Sequence, residues 1–368
     1  METAGSTIAQ AHERVMPPTG SSIDAWLDRL LDPEIDRALG ELTPDAPLLS
    51  LMARYHLGLV DSAGTALPAA DRRAVQGKRM RPLLAVLSCE ASGGMPEAAA
   101  PLAAGIELLH NFTLVHDDIQ DRSPNRRHRA TVWRIWGDAQ AINAGDALFA
   151  ASNLAVLGTA SPGVSPETLL AMVAGFNRMT IDIVAGQVRD LDFEGTDLVA
   201  PDDYLAMISG KTAAIVRFAA WAGAIVGGAS PETAEAFARM GQALGIGFQI
   251  RDDLLGIWGA PEETGKDAAD DIRRRKQSLP ILLLRAQATP DEAETLNALY
   301  GDDEIDEQGV ATVLSLLDAH GVRQQVVERV EAAHQDAVSA LASIGSSGTN
   351  TGLSAIARLI ERMRVRSS

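Results

Sequence analysis

The chain has 368 residues, 46% of them hydrophobic, and 32 Lys and Arg against 49 Asp and Glu give a net charge of −17. No long basic stripe is present to follow a phosphate backbone, so nucleic acid is excluded as an expected partner. The only cysteine, Cys89, sits in the apolar run LLAVLSCEA; it leaves no internal disulfide, is expected to be a small buried hydrophobe, and fits a reducing, cytoplasmic compartment.

Residues 1–22 lack a basic segment followed by an apolar one, so the start does not read as a secretory signal. They are expected to form a mobile arm ahead of a single all-α domain over residues 23–368. Helix starts are written along the chain. Thr43-Pro44-Asp45, Ser165-Pro166-Glu167, Ser230-Pro231-Glu232 and Thr289-Pro290-Asp291 each place a hydroxyl cap, a proline suited to the first helical position, and an acid at the positive helix end. The segments that follow space apolar residues at three and four, and alternating β-branched runs are scarce. Loops are expected at residues 61–70, 195–201, 258–265 and 344–352, where Gly, Pro, Ser and Thr cluster.

Residues 77–82, GKRMRP, place Lys78, Arg79 and Arg81 between a glycine and a helix-starting proline, a composition suited to holding an anion. Next comes LLHNFTLVHDDIQDRSPNRR, residues 108–127, where an apolar run ends in Asp117, Asp118 and Asp121 and leads to Arg126 and Arg127. On a helix, Asp117 and Asp121 stand about 40° apart around the axis and roughly 6 Å along it. Two carboxylates so placed can share a magnesium ion, which characteristically binds through one or two carboxylates plus a substrate's phosphates. His110, two turns below Asp117, can hydrogen-bond an anion beside that ion, or can be a satisfied core histidine.

Gln187 and Asp190 offer a further ligand or orienting hydrogen bond, or simply a polar helix face. Asp202 and Asp203 follow Pro201 and read as helix-start acids. Lys211 and Thr212 follow Gly210. The stretch 212–228 approaches membrane-spanning length, but Arg217 interrupts it, so a buried core helix is expected and no integral membrane association. GFQIRDDLLG, residues 247–256, is a second amphipathic segment ending in an acid pair, Asp252 and Asp253. Two facing helices bearing such acids can gather magnesium ions around one diphosphate and neutralise a leaving group too basic to depart unaided. Lys266 follows Gly265. Asp302, Asp303 and Asp306 repeat the first aspartate pattern without an apolar lead-in or trailing cations, and read as a solvated acidic turn.

Taken together, GKRMRP, HDDIQD with its paired arginines, the Lys211-Thr212 pair, GFQIRDDLLG and DIRRRKQSLP (residues 271–280) closely resemble the trans-isoprenyl diphosphate synthases, the polyprenyl synthetase family. The resemblance implies a helical bundle around a central active-site cavity. It implies that Lys78, Arg81, His110 and Arg127 bind isopentenyl diphosphate. Asp117 and Asp121 are then magnesium ligands supported by Asp118, and Arg126 holds the allylic diphosphate. Lys211, Thr212, Gln249 and Lys266 contact the allylic substrate. Asp252 and Asp253 form the second motif, Asp252 being the matched ligand and Asp190 a further one, with up to three magnesium ions in all. The implied reaction is head-to-tail chain extension, in which the allylic diphosphate ionises, the double bond of isopentenyl diphosphate attacks the cation, and a proton leaves to the departing pyrophosphate. Asp117, Asp118, Asp121, Asp252, Asp253 and Lys211 are the expected catalytic set, and a homodimer is the implied assembly.

Phe112 and Thr113 lie five and four residues before Asp117, about one turn below the metal, where a growing chain must pass. In the family one aromatic at the fifth position favours a C20 product, so geranylgeranyl diphosphate is expected ahead of farnesyl or longer products. Two departures stand out: Gly256 replaces a third aspartate, and His128 and Ala130 stand where Gly and Pro are usual. A class I terpene cyclase, which would have no need for GKRMRP, and a silent partner subunit that has lost ligands are the alternatives.

Overall fold

The computed structural model describes residues 22–42, 46–160, 164–194, 199–260, 269–301, 305–345 and 350–364. The expected arm and the Thr43-Pro44-Asp45 start lie outside the described residues, apart from Ser22, which caps the first helix by accepting from the Ala25 amide. As expected, the fold is all-α. In chain order the helices are α1 (Ile23–Gly40), α2 (Pro47–His56), α3 (Ala69–Val75), α4 (Met80–Ala91), α5 (Pro96–Gln120), α6 (Val132–Trp136), α7 (Asp138–Leu157), α8 (Pro166–Glu194), α9 (Pro201–Ile208), α10 (Ala214–Val226), α11 (Pro231–Trp258), α12 (Asp270–Arg273), α13 (Leu279–Gln287), α14 (Pro290–Gly301), α15 (Glu307–Ala319), α16 (Val322–Ile344) and α17 (Thr351–Met363). A two-stranded hairpin, β1 (Asn125–Arg126) and β2 (Arg129–Ala130), lies between α5 and α6.

Three of the four predicted starts are among the described residues, and all three are made as written. Ser165 Oγ and Ser230 Oγ each accept an amide three residues on, at 3.2 Å. Thr289 and Glu292 bond reciprocally, the Thr289 amide donating to the Glu292 carboxylate at 2.8 Å, which satisfies two otherwise orphaned donors. Asp306 caps α15 through the Gly309 amide at 2.8 Å, so the acid of the later aspartate pattern that is described has a capping role; Asp302 and Asp303 lie outside the described residues.

The chain divides into two compact units. The first comprises the chain up to Gly175, Ala219–Ala234 and Ser346–Ile356, and the second Phe176–Phe218, Glu235–Gly345 and Ala357 onward. The first is built on α5, which packs against α1, α4 and α7 and buries Leu102, Ile106, Leu108 and Leu109 completely. At about 25 cal/mol per Å² such burial is the main driving force for placing this helix. In the second unit α9, α11, α13, α15 and α16 converge on a core that includes Ile208, Ile250, Leu254, Leu282, Leu284, Val313, Leu317 and Val326. In the stretch 212–228 the helix is α10, shorter than a membrane span, and Ala214, Ile215, Phe218, Ala219, Ala220, Ala222, Ala224 and Val226 are buried.

Candidate active site

In the first unit α5 delivers its aspartates at its C-terminal turn, where the helix dipole disfavours anions and the turn itself supplies no Lys or Arg. Compensation comes from the hairpin. Arg126 Nε donates to Asp118 Oδ1 at 2.8 Å, and Asp118, 1% exposed, keeps its other oxygen buried and without a hydrogen-bond partner. Burial pushes the Asp118 carboxyl up to about 6, with Arg126 opposing and the neighbouring Asp117 and Asp121 reinforcing the rise.

The hairpin is strained where it carries the arginines. Its register pairs Asn125 with Ala130 and Arg126 with Arg129, so Arg127 and His128 are the two turn residues, and both are left-handed, at φ 50° and 63°. Such turns favour Asn-Gly, and a non-glycine residue there costs about 1–3 kcal/mol. Anchors from α2 and the segment after it hold the shape. Tyr55 Oη donates to the Ala130 carbonyl at 2.8 Å. Arg129 donates to the Tyr55 and Val60 carbonyls at 3.1 and 2.8 Å and lies 3.9 Å above the Tyr55 ring.

GKRMRP is brought to the same hairpin. A Cβ on Gly77 would stand 2.6 Å from an Arg127 guanidinium nitrogen, so Arg127 packs directly against the glycine, and it donates to the Val75 carbonyl at 3.3 Å. Arg81 Nη1 lies 3.2 Å from His110 Nε2. Burial and the surrounding Arg81, Arg127 and Arg126 hold His110 well below its usual pKa, and it is neutral. Lys78 is exposed. Arg79 turns away to pair with Asp28 and Asp32 at 2.8 and 2.9 Å, tying the loop to α1.

The second unit carries the other acids. Asp252 is exposed and Asp253 fully buried. Asp253 accepts from Tyr204 Oη, from Gln249 Nε2 at 3.2 Å, from Lys276 Nζ at 3.4 Å and from the Leu279 amide at 3.3 Å. Burial alone would lower the pKa of the Lys276 ammonium, but Asp253, Asp271, Asp252 and Asp190 together raise it. Lys211 and Thr212 lie on a π-helical turn, Ser209–Ala213, a distortion frequent at functional sites. Lys211 Nζ pairs with Asp190 at 2.5 Å, and Thr212 Oγ1 donates to Gln249 at 2.9 Å. Lys266 lies outside the described residues.

The Polyprenyl synthetase family model matches residues 67–317. The chain belongs to the polyprenyl synthetase family. It is 41% identical over 253 residues to a (2E,6E)-farnesyl diphosphate synthase of Mycobacterium bovis, covering 68% of this chain and 67% of the relative. It is 39% identical over 255 residues to a geranylgeranyl diphosphate synthase of Mycobacterium tuberculosis, covering 68% and 69%. A polyprenyl synthetase structure from Streptomyces coelicolor superposes with a TM-score of 0.80 at 33% identity, over 91% of this chain and 98% of that one. The protein is a trans-prenyl diphosphate synthase, a prenyltransferase.

For a polyprenyl synthetase, the predicted residues fall into two sets. Lys78, Arg81, His110, Asp117, Asp118, Asp121, Arg126 and Arg127 belong to the first unit; Asp190, Lys211, Thr212, Gln249, Asp252 and Asp253 belong to the second. Among the described residues no three His, Cys, Asp or Glu side chains form a metal cage by themselves. The oxygen-only donors and the unpartnered Asp118 oxygen fit magnesium, which completes its shell with waters and substrate phosphates. Sequence reasoning missed His56, whose buried Nε2 has no hydrogen-bond partner and whose pKa burial, Arg126, Arg127 and Arg129 lower to about 3. Lys276 lay within the quoted DIRRRKQSLP segment but was given no role; missed outright were Tyr55, Arg129 and Tyr204, and also Phe149, whose ring lies 5.3 Å from that of Phe112. None has a local signature, because each acts on a partner remote in sequence.

Proposed function

We propose that this prenyl diphosphate synthase condenses isopentenyl diphosphate with C5 to C15 allylic diphosphates and releases geranylgeranyl diphosphate. The observation that carries the product length is Phe112. Its ring stands against His116 at 4.8 Å and Phe149 at 5.3 Å, one turn before Asp117 on α5. The hydroxyl of the adjacent Thr113 is turned to its own helix, on the His110 carbonyl at 2.8 Å. A single aromatic layer so supported limits the chain without closing the path at C15.

Asp117 and Asp121 would hold magnesium in the first arm, with Asp252 and Asp190 as ligands in the second; bound there, the ions neutralise the leaving diphosphate. Arg126 binds the allylic diphosphate while orienting Asp118. Arg81, Arg127 and Lys78 bind isopentenyl diphosphate as cations, and neutral His110 adds a hydrogen bond without further charge. Lys211, Thr212, Gln249 and Lys266 hold the allylic substrate. Asp253, with four donors already on it, positions the turn that bears Asp252. Apolar side chains exclude water, which would otherwise capture the carbocation. The cytoplasm and a homodimer complete the proposal; large apolar residues left exposed in the first unit, Ile142, Leu154, Leu157 and Leu170, are suited to a second copy.

A farnesyl product is the second reading, favoured by the 41% identical relative that bears that name. Incubation with magnesium, labelled isopentenyl diphosphate and, separately, C5, C10 and C15 primers decides between them. C20 product from all three supports the proposal; accumulation at C15 with no use of the C15 primer establishes the farnesyl reading. Absence of incorporation with every primer rejects both. Phe112→Ala lengthens the product by at least one C5 unit, and an unchanged chain length on reversed-phase analysis removes Phe112 from this role.

A further inference from the structure

Helices α5 and α7 run antiparallel, as their contacts show: Gly105 meets Ser152 and Val156, Phe112 meets Phe149, and His116 meets Gly145. The approach at Gly145 has a consequence for Phe112. A Cβ built on Gly145 would stand 2.2 Å from His116 Nε2 and 2.4 Å from its Cδ2, so the imidazole occupies the place a side chain at position 145 would need. In the tautomer with its proton on Nε2, His116 donates to the Ile142 carbonyl at 3.4 Å. The same ring meets that of Phe112 edge to face at 4.8 Å. One turn along, about 6 Å down the helices, Phe149 stands across from Phe112 at 5.3 Å. The two helices thus pair a glycine with an imidazole at one level and two phenyl rings at the next.

We propose that Gly145 and His116 are specificity-determining residues for product length: the missing side chain at position 145 gives the imidazole its room, and the imidazole sets where the Phe112 ring stands. Both are positioning residues that act through Phe112. Side chains on a helix lean toward its N-terminal turn, onto the residue four before, so an imidazole expelled from Gly145 moves onto Phe112. Packed rings have no slack to absorb even one methyl group. Phe149 bars the retreat of Phe112 against α7, and the displaced ring moves into the path of the growing chain. Removing the imidazole has the opposite sign, because Phe112 then relaxes into the space that the imidazole has left.

This rests on the reading of Phe112 as the residue that limits the chain, and the test separates the two. The full chain, as wild type, Phe112→Ala, His116→Ala, Gly145→Ala, G145A/H116A and G145A/F112A, is incubated with magnesium, labelled isopentenyl diphosphate and the C5 primer. Products are resolved by reversed-phase analysis, and Tm is measured for each chain. Gly145→Ala is expected to raise the share of product one C5 unit shorter by about tenfold, the discrimination that a single methylene supplies. His116→Ala is expected to raise the share one C5 unit longer. G145A/H116A is expected to return both Tm and product distribution toward wild type, because the added methyl takes the room that the imidazole has left. In the Phe112→Ala background, Gly145→Ala is expected to leave the distribution unchanged. If Phe112→Ala lengthens the product while Gly145→Ala and His116→Ala keep the wild-type distribution, the proposal is overturned and the reading of Phe112 stands. A shift by Gly145→Ala that persists without Phe112 overturns the coupling through that ring. If Phe112→Ala itself changes nothing, the reading of Phe112 fails and the proposal fails with it. Should Gly145→Ala not fold, the product distribution of His116→Ala decides alone: longer product supports the proposal, and wild-type product rejects it.

Discussion

Both acidic arms present two consecutive aspartates on a helix, but their inner members live differently. Adjacent helical residues are about 100° apart, so in each arm one faces outward and the next the protein interior. Asp118 makes one hydrogen bond to Arg126 and keeps the other oxygen unpartnered. Asp253 is saturated by Tyr204, Gln249, Lys276 and the Leu279 amide. The first arm keeps spare acceptor capacity and borrows cations from a strained hairpin, whereas the second spends its inner acid on its own architecture. Identical dipeptides thus divide into a poised carboxylate and a structural one according to the donors around them.

The sharpest way to break this comparison is to remove the outward acids. Asp117→Ala and Asp252→Ala are expected to lower kcat by about 10³ or more, roughly 4 kcal/mol of transition-state stabilisation, with Tm nearly unchanged; a small loss in either excludes that arm from the chemistry. The inner acids should then separate the arms. Asp253→Ala strands four donors and is expected to cost about 3–5 kcal/mol of stability, while Asp118→Asn costs only about 1–2 kcal/mol. Equal losses in calorimetry would show that the two acids are alike.

Acid titration gives the next largest effect. His56, held at about 3, and His110, held well below its usual pKa, are neutral when folded and charge on unfolding, so their contribution is complete above pH 6.5 and is lost as pH falls. At pH 5 His56 costs about 2 kcal/mol, from 1.4 kcal/mol per unit, and His110 adds a cost of the same sign. Asp118 acts in the opposite sense: its raised pKa of about 6 favours folding as pH falls through that value, returning about 1 kcal/mol at pH 5. Metal-free chain should therefore lose Tm between pH 7 and 5, and His56→Gln should flatten that slope; a flat profile in the wild type contradicts buried neutral histidines. The smallest change expected is a gain. His128→Gly removes a side chain from a left-handed position and is expected to stabilise by about 1 kcal/mol, while Arg129→Leu, releasing the anchor on Tyr55 and Val60, raises KM for isopentenyl diphosphate severalfold. A His128→Gly chain no more stable than wild type would show that the turn is unstrained.

Much of this was legible in the chain. Hydroxyl-proline-acid triplets announced three helix starts because capping is local, completed within four residues. GKRMRP and the paired arginines each read as anion-holding groups, and Gly77 and Arg127 meet in space. The later aspartate pattern was correctly discounted at Asp306, which caps a helix. What stayed hidden were residues whose work is done on distant partners: Tyr55 and Arg129 beneath the hairpin, Phe149 against Phe112, Tyr204 and Lys276 on Asp253. The π-helical turn at Lys211 also left no mark, since SGKTA reads as ordinary helix.

By itself the sequence determined the all-α class, the family, and which short segments bear aspartates and cations, because periodicity, capping and motif spacing are properties of neighbours along the chain. Only the tertiary structure decided which aspartate of each pair is buried and which cation answers it. Those outcomes depend on burial and on donors brought from far along the chain, and desolvation acts on the folded surroundings of a group, not on its neighbours in sequence.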